Sequence, residues 1–179
     1  MRVLLGVTGS IAAYRAAELV RLMVREGWHV DVIMTRAATK FVGEVTFGTL
    51  SRNPVGVDMF ASPEDWRPEH ISRAEAADVF VVAPCTANVM AKMAHGIADD
   101  LLSCTALATT AQAVIAPAMN VHMWNHAATQ ANLATLVARG VRVVDPAEGD
   151  LACGYEGKGR MASPEEIMNV LRNILAEKG

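Results

Sequence analysis

Short apolar runs that stop at turn-forming residues are what most constrain this chain of 179 residues. They lie at Arg2–Val7, Trp28–Met34, Val79–Ala83, Ala113–Ala116 and Val141–Val144, and stretches of helical spacing separate them. A run that is apolar at every position has no solvent face. It must be covered on both sides, as in a parallel sheet sandwiched between helices. The composition agrees: 52% of residues are hydrophobic but only 5% aromatic, so the core is built from Ala, Val, Leu, Ile and Met. The expected fold is α/β, a doubly wound, flavodoxin- or Rossmann-like open parallel sheet of about six strands with helices on both faces. The length fits one domain over residues 1–179.

Ligands of such sheets bind outside the carboxyl ends of the strands, so the turns after the runs are where function is sought. After the first run, Thr8-Gly9-Ser10 opens a helical pattern from about Ile11 to Glu26, with Ser10 as the expected N-cap. A Gly-Ser turn at a helix start offers backbone N–H groups to a phosphate, although the same turn caps helices that bind nothing. A dinucleotide site needs G-x-G-x-x-G and an acidic residue closing the second run. Here the loop reads Gly6-Val7-Thr8-Gly9-Ser10-Ile11 and the second run ends in Thr35-Arg36. A mononucleotide phosphate is the better match, and NAD is not expected. Thr86 and Asn88, after the third run, either cap a helix to about Ala94 or face the crevice, and Gly96 is the natural stop of that helix. Asp99-Asp100 reads as the capped start of a helix over Leu101–Ala108 in preference to an acid–base pair.

Pro117 cannot donate to a ladder, so the fourth run turns there. The turn is unusual, because Met119, Met123 and Trp124 surround a single amide, Asn120. An apolar wall with one hydrogen-bonding group suits a flat, partly apolar ligand such as a flavin. The alternative is that these three side chains pack the start of a helix. Asn125–Arg139 is helical in spacing and ends at Gly140. Leu151–Met161 carries three glycines and no hydrophobic period, which reads as a mobile loop of the kind that closes over a site. Ser163-Pro164-Glu165-Glu166 then caps a last helix to about Glu177.

The net charge of −3 and the absence of a basic block argue against nucleic acid. No apolar run approaches the roughly 18 residues of a membrane span. The first residues read as a strand and not as a signal peptide. Cys85, Cys104 and Cys153 lack CxxC spacing, so reduced thiols in a cytoplasmic protein are the expectation.

Pro117-Ala118-Met119-Asn120-Val121-His122-Met123-Trp124 fits the PxMNxxMW motif of the flavin-containing cysteine decarboxylases, which the chain resembles over nearly its whole length. That family includes phosphopantothenoylcysteine decarboxylases and lantibiotic peptide decarboxylases. The resemblance implies FMN held by Gly9, Ser10, Ile11, Thr35, Thr86, Ala87, Asn88, Val89, Ala118 and Met119. It assigns catalysis to His70, in His70-Ile71 ahead of Ala77-Asp78 and a strand, and to Asn120 and Cys153. Leu151-Ala152-Cys153-Gly154 and Gly157-Lys158-Gly159-Arg160-Met161 are similar to the family's substrate clamp. The implied substrate-binding residues are Asn120, Ala152, Gly154, Lys158, Arg160 and Met161, with Tyr155 standing where aspartate is usual. No metal is implied.

The implied reaction is decarboxylation of 4′-phosphopantothenoylcysteine to 4′-phosphopantetheine in coenzyme A biosynthesis. The thiol is oxidised to a thioaldehyde, CO2 leaves, and the enethiol is re-reduced with Cys153 as proton donor. A peptidyl cysteine oxidative decarboxylase would stop at the enethiol and need no such cysteine. A non-catalytic flavin-binding regulatory subunit would need none of His70, Asn120 and Cys153. The resemblance further implies a homo-oligomer, trimer or dodecamer. It also implies a phosphopantothenate–cysteine ligase, either separate or fused behind this chain as the N-terminal part of a bifunctional protein.

Overall fold

The computed structural model describes residues 1–61, 68–150 and 156–177. Strands β1 (Arg2–Val7), β2 (His29–Met34), β3 (Val55–Gly56), β4 (Val79–Cys85), β5 (Gln112–Pro117) and β6 (Arg142–Val143) form one sheet in the order β3-β2-β1-β4-β5-β6. Every pairing in it is parallel. The connections are α1 (Ala13–Arg25), α2 (Glu44–Ser51), α3 (Glu69–Ala76), α4 (Ala87–His95), α5 (Leu101–Ala108), α6 (Val121–Asn125) and α7 (Ala127–Ala138), with α8 (Pro164–Ala176) at the end.

The fully apolar strands are explained by two cores, one on each face. Val3, Leu5 and Val7 point to one side, against Leu19 and Met23 of α1 and Ile167 and Leu171 of α8. Leu4, Phe80 and Val82 point to the other, against Met90 of α4, Leu101 and Leu102 of α5, and Leu136 of α7. Each such side chain contributes about 1.5–3 kcal/mol on burial. Truncating Phe80, which is fully buried, to alanine would cost about 3–5 kcal/mol. The order reverses between β1 and β4, which places the crevice of a doubly wound sheet above those two strands.

Several expected boundaries hold. Asp100 caps α5 in a reciprocal box with Ser103, and Ser163 does the same for α8 with Glu166. Gly96 ends α4 in the left-handed conformation, at φ 68°. Two readings are corrected, and one strand was not foreseen. Ser10 is not the N-cap of α1: the helix begins at Ala13, and Ser10 Oγ accepts from Ala12 N–H at 3.3 Å, closing a turn ahead of it. Two-residue β3 went unread, being too short to show a period. Residues 156–160 of the glycine-rich stretch are strand and not loop: β7 (Ala147–Asp150) and β8 (Glu156–Arg160) pair antiparallel as a separate ribbon. Their connection, residues 151–155, lies outside the described residues, and with it Ala152, Cys153, Gly154 and Tyr155.

Candidate active site

A line of hydrogen bonds crosses the carboxyl ends of the central strands and joins their loops. Thr35 N–H, after β2, donates to the Val7 carbonyl at 3.0 Å. Thr8, after β1, is fully buried; its Oγ1 donates to the Pro84 carbonyl at 2.6 Å and accepts from Thr86 N–H at 3.1 Å. Ala118 N–H, after β5, donates to the Cys85 carbonyl at 3.0 Å, and Met119 N–H donates to the Gly159 carbonyl of β8 at 2.9 Å. The ribbon is thereby docked on the loop that carries Asn120. Only glycine permits that approach: a Cβ on Gly159 would stand 2.3 Å from the Met119 carbonyl oxygen. A Cβ on Gly9 would likewise stand 2.5 Å from that of Ala37, so the loops after β1 and β2 also touch.

These loops enclose a cavity of about 660 Å³. One side is made by Gly9, Thr35, Arg36 and Ala37, another by Thr86, Ala87, Asn88 and Val89, with Met59 and Met123 as apolar wall. Thr86 is the N-cap of α4, accepting from Val89 N–H at 3.4 Å, so the first N–H groups of that helix stand at the cavity. The size and the mixture of apolar wall and few polar groups are those of a small-molecule site.

Charge enters on the far wall. Lys92 Nζ lies 2.6 Å from Asp99 and 2.9 Å from Asp100. Burial alone would lower the Lys92 pKa, but the two carboxylates outweigh it and raise it above its ordinary value. Burial likewise pushes the Asp100 carboxyl up, and hydrogen bonds from Lys92 and Ser103 more than reverse this, holding it below 3.8. Cys85, fully buried in β4, has its thiol pushed up to about 12 by burial, the behaviour of a packing residue.

Of the expected cofactor residues, Gly9, Thr35, Thr86, Ala87, Asn88 and Val89 share this cavity. Ser10 and Ile11 continue the loop beside Gly9, and Ala118 and Met119 hold the neighbouring rim through the bonds given above. Asn120 is the N-cap of α6; its Oδ1 accepts from His122 N–H at 2.8 Å, which fixes the orientation of the amide. His70 is half-buried in the first turn of α3, outside the cavity wall. Lys158 Nζ lies 5.9 Å from the Trp124 ring centre and 3.7 Å from Asp145, and Arg160 is exposed on β8. Met161 has its side chain in the core, 1% exposed, so its own place is packing against the sheet. Trp124, 6% exposed, packs as the alternative reading had it, whereas Met123 faces the cavity. Sequence reasoning missed Thr8, whose one signal was a hydroxyl directly after an apolar run. It also missed Met59, Asp58 and Phe60 of the wall, which follow a strand too short to detect. Among the described residues no group of three or more His, Cys, Asp or Glu side chains is placed to hold a metal.

Comparison with known proteins agrees with this geometry. A family model described as Flavoprotein matches residues 1–176. The chain is 48% identical over 176 residues to the coenzyme A biosynthesis bifunctional protein CoaBC of Bacillus subtilis (strain 168), covering 98% of this chain and 43% of that one. It is 43% identical over 177 residues to the protein of the same name from Vibrio cholerae, covering 99% and 44%. The chain thus spans less than half the length of the curated relatives it matches. Among solved structures, a PPC decarboxylase mutant complexed with pantothenoylaminoethenethiol is similar with a TM-score of 0.86 and 31% identity, over 98% of each chain. The FMN binding protein AtHal3 is similar with a TM-score of 0.85 and 31% identity, over 99% of this chain and 98% of that one. Matched from residue 1 to 176 by the family model, and over 98% of its length by a solved relative, the chain belongs to the Flavoprotein family.

Proposed function

We propose that the chain catalyses the FMN-dependent decarboxylation of 4′-phosphopantothenoylcysteine to 4′-phosphopantetheine, a step of coenzyme A biosynthesis. The observation that carries this reading is the bond from Ala118 N–H to the Cys85 carbonyl. It joins the loop bearing Asn120 to the loop bearing Thr86–Val89 on the rim of a cavity of flavin size. The names of the relatives, coenzyme A biosynthesis protein and PPC decarboxylase, support the same substrate.

The residues present fit FMN. The close approach at Gly9 leaves backbone and no side chain at the cavity edge, and the start of α4 favours an anion or a polar ring edge there. Gly9, Ser10 and Ile11 would take the phosphate, and Thr35, Thr86–Val89, Ala118 and Met119 the rest. When bound, FMN supplies reversible two-electron oxidation, which no side chain of this site offers. The chain itself must orient the substrate, move protons and exclude water. The substrate carboxylate leaves only once the neighbouring CH2–SH carbon has become an electron sink. His70, which lies outside the wall of this cavity, would take the thiol proton or hold the substrate in place, roles for which imidazole is suited near neutral pH. Asn120 donates its amide N–H to the carboxylate and holds it in a poorly hydrated pocket, from which CO2 departs more readily than from water. Cys153 returns a proton to carbon at the end. Lys158 and Arg160 of the docked ribbon would bind the substrate, together with Met161 and with Ala152 and Gly154, which lie outside the described residues.

This reading includes a homo-oligomer, trimer or dodecamer, supported by the exposed apolar side chains of Met123 at the cavity and of Ile11 and Tyr14 around the start of α1. It includes a phosphopantothenate–cysteine ligase, fused or separate, as the bifunctional relatives support. It also places the protein in the cytoplasm; no helix among the described residues is long and apolar enough to cross a membrane. The test offers the FMN-loaded protein phosphopantothenoylcysteine or a peptide ending in cysteine and identifies products by mass. Conversion of the first to 4′-phosphopantetheine is expected. Turnover of the peptide alone, ending at an enethiol, would overturn the substrate assignment, and no turnover of either would leave a binding subunit.

A further inference from the structure

We infer that Thr8 is a positioning residue for the cofactor: its hydroxyl sets the spacing between the two loops proposed to hold FMN. The inference rests on that cofactor reading. Thr8 stands where the strand order reverses, the last residue before the Gly9 turn, and is fully buried. Its Oγ1 makes two bonds, both to backbone and both across the switch point, to the Pro84 carbonyl at 2.6 Å and from Thr86 N–H at 3.1 Å. Thr86 is the N-cap of α4, so its own N–H lies outside the helix ladder and takes its partner from Thr8. Gly9 and Ala87, the residues that follow these two, both line the cavity. One hydroxyl therefore fixes how far the wall begun by Gly9 stands from the wall begun by Thr86.

The other bonds that join these loops run from backbone to backbone, whereas this one is made by a side chain and can be removed without a backbone clash. Valine has the shape of threonine and lacks the hydroxyl. Thr8→Val would leave a buried carbonyl and a part-buried N–H without the Thr8 hydroxyl, a cost relieved when the two loops part and admit water. Serine keeps the hydroxyl and removes only a methyl group.

The experiment loads wild type, Thr8→Ser and Thr8→Val with FMN, dilutes each, and follows FMN release by the recovery of flavin fluorescence. The visible circular dichroism of the bound flavin is recorded before dilution. Thr8→Ser should release FMN within about threefold of wild type, and Thr8→Val about 10- to 100-fold faster with an altered flavin spectrum. A release rate restored by serine is something a general loss of packing would not produce. Wild-type release from Thr8→Val, or equally fast release from both variants, would overturn the inference. If Thr8→Val fails to fold, Thr8→Ala takes its place. Failure of both to fold in excess FMN would assign the hydroxyl to the fold and overturn the inference as well. A wild type that neither carries nor takes up FMN would instead sink the cofactor reading and the inference with it, an outcome recognisable before any variant is measured.

Discussion

The docking of the ribbon on the Asn120 loop depends on the close approach at Gly159, and Gly159→Ala tests it. The added Cβ would stand 2.3 Å from the Met119 carbonyl oxygen, with the Asn120 carbonyl carbon at 3.5 Å. Ordinary contact begins near 3.5 Å, so the strand must move by about 1 Å. That movement breaks the Met119 N–H bond to the Gly159 carbonyl, worth about 0.5–1.5 kcal/mol net. The backbone of residue 159, at φ +157°, adds about 1–3 kcal/mol of strain for a residue with a side chain. Together these disfavour the docked ribbon by about 2–4 kcal/mol, equivalent to roughly 30- to 1,000-fold in the fraction docked. Because β7 and β8 form their own sheet, the six-stranded sheet should remain folded and FMN bound. Turnover should fall by the same order, since the clamp and Asn120 no longer meet. Gly43→Ala, where an added Cβ meets nothing within 4 Å, is the control and should be silent. The assays are steady-state decarboxylation, flavin absorbance and thermal melting. Wild-type turnover by Gly159→Ala would refute the docking.

Two further outcomes follow from the site. Asp100 is held below its ordinary 3.8, so its contribution to stability is complete above that value and is lost as pH falls through the lower folded one. Asp100→Asn, which keeps a capping side chain, should therefore lower stability at neutral pH by about 1 kcal/mol and converge with wild type at low pH; a constant difference across a urea-unfolding pH series would contradict this. Cys153→Ser should still release CO2 but accumulate an enethiol two hydrogens short of 4′-phosphopantetheine, because serine lacks the acidic thiol; full yield of the saturated product would remove Cys153 from protonation.

What was legible in the sequence was whatever repeats a side-chain pattern. The apolar runs foretold two-sided strands, and Asp100 and Ser163 announced the helices they cap, because a hydroxyl or carboxylate ahead of a helix has one common use. Ser10 offered the same chemistry and misled, since its hydroxyl serves a turn two residues before the helix starts. The ribbon was illegible for a different reason. Its attachment runs through the backbone of Met119 and Gly159, and close backbone contact selects for glycine, which leaves no period to read. Thr8 was passed over because a single buried hydroxyl has no pattern, and its two partners lie 76 and 78 residues away. The motif loop was read correctly as a rim element, yet its side chains divide: Trp124 packs, Met123 faces the cavity and Asn120 caps α6.

On the proposed reading, this rim of joined loops releases CO2 from phosphopantothenoylcysteine through Asn120 while FMN stays bound. CO2 released per bound FMN, measured side by side for wild type and Asn120→Asp, tests it most directly. Aspartate keeps the size and the capping oxygen but replaces the amide donor with a negative charge facing the substrate carboxylate. The wild type should release CO2 over many turnovers, and the variant should remain yellow with turnover reduced at least about 10- to 100-fold. Release at the wild-type rate from the FMN-loaded variant, or none from the FMN-loaded wild type, would contradict the claim.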